Sequence, residues 1–309
     1  MFQSFFGEKT LFRYKANNHW KINDWVLGCS LIFLVIRYVI NTFSGWYNFP
    51  VPTPFYHLNV AETLQEHTGF LSGISDLIKS RHSSFLLGHV APDVQVISGQ
   101  TRESTHFFNL PSRANDLPPW ERMLSSYSSL TFGEDCDPDK AVFVAGYLCH
   151  LQADWYWVQQ IFEPHFGPDS QWKTYRERLY LHNVLRSYLD YQVIETLKPE
   201  TSYGLTQANP KAWLPFIEID HLEDWQDFIA KQLKPGVPIQ TVEVFASRQG
   251  MSPDKYYRLL NAGDELQHQI FDYLPHKLLR TYWCGLLKEN VKMLNDFLAK
   301  VGGESYANT

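Results

Sequence analysis

His150 and Asp154 stand four residues apart in the run from Ala141 to Trp157, which reads Ala-Val-Phe-Val-Ala-Gly-Tyr-Leu-Cys-His-Leu-Gln-Ala-Asp-Trp-Tyr-Trp. On a helix this spacing puts both side chains on one face. The run is apolar almost all round, the pattern of a helix buried on every side. A carboxylate kept ionised in such a place needs a partner. No Arg or Lys lies between Ala141 and Phe166, so the partner is either the histidine itself, in a core hydrogen bond, or a metal ion. Further residues of ligand type are His57, His89, Asp93, His106, His165, His182 and Asp190. Imidazole nitrogen with carboxylate oxygen suits a divalent ion of borderline softness such as zinc, which can activate water and stabilise charge during hydrolysis.

Each of these residues also has a plainer reading. His57 could serve a helix start, and His89 could support a ligand without being one. Asp93 follows Pro92 and could cap the next turn. His106 could be a satisfied core histidine between its aromatic neighbours. His165 suits the cationic end of a helix, and His182 with Asp190 suits a structural pair.

The elements that must position these groups read as helices throughout. Asp137 is a good N-cap and Pro138 fits the first helical position of the His150 helix, which Pro164 and Gly167 end. Helical spacing also marks 57–67, 70–78, 84–89, 120–127, 171–197 (capped by Ser170), 222–233, 241–248, 253–274 and 276–301. Residues 93–109 read as loop or short strand, and 198–214 as a connection. No run shows sustained strand alternation, so the expected fold class is all-α.

The chain has 309 residues, 44% hydrophobic and 19% charged, enough for a sizeable core. A net charge of −6 without basic clustering argues against double-stranded nucleic acid as a partner. Its four cysteines, Cys29, Cys136, Cys149 and Cys284, form no CxxC pair. Residues 1–50 differ from the rest: Lys9, Arg13, Lys15 and Lys21 precede an apolar run of 12 from Trp25 to Ile36. Extended to Phe43 it reads as a weak signal-anchor, which would give membrane association through residues 25–43. The organisation expected is an N-terminal extension at 1–50, a metal-binding helical core at 51–200, and C-terminal helices at 201–309 packed on the same domain.

The order His57, Pro92-Asp93, Thr105-His106-Phe107 and Gly146-Tyr-Leu-Cys-His-Leu-Gln-Ala-Asp154 resembles the bacterial zinc-dependent phospholipase C family, whose all-helical fold is shared with single-strand-specific zinc nucleases. The likeness covers roughly Pro52 to Asp190. It implies that Asp93, His106, His150 and Asp154 hold one zinc and that His57 joins Asp154, as a bridge, at a neighbouring ion. It implies a phospholipid or other phosphodiester as substrate, attacked by zinc-activated water, with Asp93 also orienting that water. Secreted members use their mature first residue as a ligand, whereas here fifty residues precede the matching region. The family's remaining zinc takes a His and then a His-x3-Glu pair. Here the corresponding residues are His165 and His182, with Arg186 in place of the Glu and Asp190 one turn on. One to three zinc ions follow from the likeness, and one or two from these departures. Two other functions stay open: a zinc nuclease, and a non-catalytic metal-stabilised domain that binds lipid or a partner.

Overall fold

The computed structural model describes residues 51–112, 116–131, 137–299 and 301, and the fold is all-α, with no strand among the described residues. The apolar segment at 25–43 and the proposed extension at 1–50 lie outside them. Among the described residues no helix is long and apolar enough to cross a membrane. The principal helices are α1 (Pro54–Gln65), α2 (Ile74–Ser80), α3 (His82–Val90), α4 (Arg102–His106), α5 (Pro119–Ser126), α6 (Pro138–Trp157), α7 (Tyr175–Ile194), α8 (Glu200–Gln207), α9 (Ile219–Gln232), α10 (Thr241–Arg248), α11 (Pro253–Asn261) and α12 (His276–Leu298).

Helix α6 is the axis of the bundle. Asp137 caps it by accepting from the Asp139 amide (2.9 Å), and Pro138 opens it. Its residues from Ala141 to Asp154 are all buried, as its apolar circumference requires. α3 crosses α6 with backbone against backbone. A Cβ on Gly88 would lie 2.1 Å from the Phe143 carbonyl oxygen, and one on Gly146 would lie 2.5 Å from that of Phe85. Only glycine fits at such a crossing, and the pair of glycines sets how close His89 comes to His150. α12 packs on the same helix, where the Tyr282 hydroxyl donates to the Ala153 carbonyl (3.3 Å). One hydrophobic core runs from Phe55 to Val301, so the C-terminal helices share it with the rest.

Several local expectations are corrected. Residues 93–109 are neither strand nor plain loop. A 3-10 turn (Ala91–Val94) and a helical turn (Gln95–Ser98) lead through Gly99 (φ 76°) into α4, whose N-cap Thr101 accepts from the Ser104 amide. α3 ends at Val90, and Pro92 sits early in that 3-10 turn, where its missing N–H costs nothing. The helix expected from Gln171 starts instead at Tyr175, because Thr174 rather than Ser170 is the cap, bonding the Glu177 amide (3.1 Å). Glu200–Gln207 is helical where a connection was expected, its Leu205 and Gly204 buried. The long C-terminal pattern from Pro253 breaks at Ala262 and passes through a π-turn at Gln267–Phe271.

Candidate metal centre

Helices α1, α3, α4 and α6 and the turn after α3 each deliver one or two side chains to a single buried cluster. His57, His89, His106, His150 and Asp154 are fully buried, and Asp93 nearly so. α6 presents His150 and Asp154 to the same side, with His150 Nε2 3.5 Å from Asp154 Oδ2. The Tyr147 hydroxyl, on α6, donates to the Thr105 carbonyl (2.5 Å) and so fixes α4, which brings His106 Nε2 within 3.2 Å of His150 Nε2 and 3.4 Å of Asp154 Oδ2. Asp93 Oδ1 lies 3.5 Å from the same His106 nitrogen. From α1, His57 stacks on His150 (centroids 3.7 Å apart) and sets its Nε2 3.2 Å from the other oxygen of Asp154.

The hydrogen bonds behind the rings decide which nitrogens face inward with a lone pair. His150 Nδ1–H donates to the His89 carbonyl (2.7 Å), a bond the Gly88–Gly146 crossing makes possible. Thr105 Oγ1 donates to the Arg102 carbonyl (3.2 Å) and so accepts from His106 Nδ1–H (2.8 Å). Both Nε2 atoms are then aimed at one another across 3.2 Å. Two lone pairs at that distance repel unless a proton or a cation lies between them. An imidazole whose far nitrogen is anchored to a carbonyl or hydroxyl is the usual arrangement of a metal-ligating histidine.

His106, His150 and Asp154 have the mutual spacing of ligands to one ion, with Asp93 beside His106 and with Arg102 on the same Asp154 oxygen. Zinc–nitrogen bonds of about 2.0–2.1 Å in a tetrahedron put neighbouring ligand atoms about 3.3 Å apart. Four edges among Asp93, His106, His150 and Asp154 are 3.2, 3.4, 3.5 and 3.5 Å. Two overlapping sets of three donors, His106/His150/Asp154 and His57/Asp93/His150, each fall within 4.8 Å. Asp154 turns one oxygen to His106 and His150 and the other to His57, the geometry of a bridging carboxylate. That second oxygen and His57 Nε2 face one another, while His57 Nδ1 and both ring nitrogens of His89 make no hydrogen bond. Buried polar atoms left so are uncommon and point to a missing partner.

Arg102 is the group that sequence reasoning missed. It lies one turn before His106 on α4, and its guanidinium pairs with Asp154 Oδ2 and lies 3.6 Å from Asp93 Oδ1. The absence of Arg and Lys from α6 therefore does not leave Asp154 without a cation. The i, i+4 spacing to His106, after the cap Thr101, was the available signal.

The electrostatics follow from burial and these charges. Burial alone would raise both aspartates, but His106, His150 and Arg102 hold Asp93 below the ordinary carboxylate range, and Arg102 and His150 hold Asp154 well below it. Burial and the charge on His150 push His57 down to about 4. Burial and Arg102 push His106 down to about 3, and burial with His57 and His150 lowers His89. Burial opposes the His150 cation as well, yet Asp154, Asp93 and the bond to the His89 carbonyl outweigh it and raise its pKa. Two carboxylates against one guanidinium leave one negative charge, which favours a cation at His150.

The remaining candidates stand outside the cluster. His182 is buried among Trp157, Phe162 and Phe166, its Nε2 accepting from the Trp157 indole N–H (2.9 Å). His165 is half-buried on the turn Glu163–Phe166 and bonds the backbone of Tyr273. Asp190 accepts from the Thr53 and Thr241 hydroxyls, tying the N-termini of α1 and α10 to α7. It thereby holds the helix that carries His57. Arg186 donates to Asn183 Oδ1 (3.0 Å) and stacks over Phe245 at 4.2 Å. Cys149, beside His150, is a buried thiol whose pKa burial raises.

Asp93 and Arg102 connect the cluster to a cavity of about 490 Å³. Thr53, Arg186, Trp225, Phe228, Phe245 and Arg248 contribute to its walls, so α9 and α10, which lie beyond the resemblance, close it. Trp225 anchors that wall by donating from its indole N–H to the Val90 carbonyl (2.7 Å). Comparison with known protein families, with curated proteins and with solved structures gives no match.

Proposed function

We propose that this chain is a metal-dependent phosphodiester hydrolase, of the phospholipase C kind its motif resembles, with zinc held by Asp93, His106, His150 and Asp154 and with His57 and Asp154 able to hold a neighbouring ion. The observation that carries the reading is the set of ligand-to-ligand edges of 3.2–3.5 Å, which suits a tetrahedral ion. When bound, such an ion polarises a phosphoryl oxygen and makes water a better nucleophile near neutral pH.

The chain's own groups supply the rest. Asp93 is a member of both the cluster and the cavity wall. Its depressed pKa makes it a weak base, so its role is to accept a hydrogen bond from water and orient it. Arg102, between Asp93 and Asp154 and open to the cavity, is placed to neutralise charge developing on a phosphoryl oxygen. His89 and Thr105 act behind the rings, holding His150 and His106 with Nε2 inward. Hydrolysis of a short-chain phosphatidyl ester and of single-stranded DNA, measured side by side, tests the proposal. The lipid ester is expected to be cleaved, and His150→Ala is expected to reduce the rate at least about a thousandfold. Activity that survives His150→Ala, or that acts only on DNA, ends the phospholipase reading.

The Arg102–Asp154 pair favours a second reading, in which the cluster is a charge-balanced core or a structural metal site without turnover. That reading predicts no hydrolysis of any phosphodiester, while chelation still lowers thermal stability if metal is bound.

A further inference from the structure

The cavity beside the cluster has an unusual charge. Arg102, Arg186 and Arg248 all line it, coming from α4, α7 and the last turn of α10, and among the described residues their acidic companions on the wall are Asp93 and Glu103. Asp93 is already engaged with His106 and Arg102, and Arg102 in turn pairs with Asp154, so the charge not met by these carboxylates lies on Arg186 and Arg248. Arg186 is buried, laid flat on Phe245, and its pKa is lowered to about 9 by burial, with Arg102 and Arg248 adding to that effect against Asp190 and Asp93. Converging guanidinium groups present a planar fork that matches phosphate or carboxylate oxygens, and a wall of several disfavours a cation. Much of the remaining lining is apolar, with Phe55, Trp225, Phe228, Ile229 and Val244, and the volume suits a small organic ligand.

We infer that this cavity binds an amphiphilic phosphate of net negative charge, its phosphoryl oxygens on Arg186, Arg248 and Arg102 and its apolar group on the Phe55–Phe228–Ile229 wall, and that it rejects esters with a cationic head group. Arg186, which stands where the resembled pattern has a glutamate, becomes a specificity residue in place of a metal ligand. The inference rests on the hydrolase reading for the fate of the bound phosphate, and not for binding itself.

The test is isothermal titration of the full 309-residue chain with phenylphosphonate and with phenyltrimethylammonium, which share a ring and differ in charge. Phenylphosphonate is expected to bind and the ammonium compound not to. Arg248→Gln, at an exposed helix end, and Arg186→Gln are each expected to weaken phosphonate binding about tenfold or more, as loss of a charge-assisted contact requires. Arg248→Gln keeps the test decisive if Arg186→Gln does not fold. Equal binding of both compounds, no phosphonate binding, or unchanged affinity in Arg248→Gln overturns the inference. Metal content and phosphodiester turnover are measured on the same samples. Phosphonate selectivity without turnover removes the hydrolase reading alone, and turnover without selectivity removes this inference alone.

Discussion

Arg102 and Asp190 are the two residues whose chemistry says most about the site. Arg102 is the cation that Asp154 holds, and removing one partner of a buried pair costs about 3–5 kcal/mol. A divalent ion on Asp154 supplies the same compensation. Arg102→Gln is therefore expected to destabilise the chelated protein by about 3 kcal/mol and the zinc-supplemented protein much less, measured by thermal melting; equal losses in the two would argue against an ion on Asp154. Burial raises the Asp190 pKa to about 7, and the bonds from Thr53 and Thr241 and the charge of Arg186 offset only part of the rise. A carboxyl raised in the folded state favours folding when protonated. Its contribution is complete below the unfolded value of about 4 and is lost as pH rises through about 7. Asp190→Asn is expected to gain stability relative to the native chain between pH 4 and pH 8, by a few kcal/mol at the upper end, and a pH-independent difference would contradict this. In the cluster, the raised pKa of His150 means that metal binding competes with a proton, so retention of zinc is expected to weaken on acidification, starting at a higher pH than for an ordinary imidazole.

At the scale of elements, the crossing of α3 and α6 fixes the site, because it sets the bond from His150 Nδ1 to the His89 carbonyl. Gly146→Ala places a methyl against the backbone of Phe85, which cannot move without shifting α3. It is expected to cost on the order of 3 kcal/mol and to lower metal affinity, whereas Gly263→Ala, in open space, is expected to do neither; denaturant melts and zinc titration compare them. The helices with long apolar periods were legible in the sequence: α6 from Asp137-Pro138, and α10 to the residue. The region between α3 and α5 was not. Its turns are a few residues long, and the capping by Thr101 and the left-handed Gly99 leave little periodicity to read. Arg102 was lost with it, since its place beside Asp154 depends on α4 being a helix and on the Tyr147 bond that docks it.

For the whole molecule, residue types gave a longer list, and the resemblance narrowed it to His57, Asp93, His106, His150 and Asp154, side chains that the fold gathers into one cluster from elements far apart in sequence. His165, His182 and Asp190 share those residue types but are held elsewhere, by Tyr273, Trp157 and two threonines, which spacing along one chain does not reveal. The cavity was equally hidden, because Arg186 and Arg248 meet only when α7 and α10 pack. A metal centre at the cluster differs from a core ion-pair network in one observable, bound metal. Elemental analysis of the purified full chain beside Asp154→Asn tests it most directly. A metal centre predicts one to two zinc per native chain and a clear loss in the variant, with both proteins folded by circular dichroism. Absence of metal from the zinc-supplemented native protein, or equal metal in the two proteins, would contradict it.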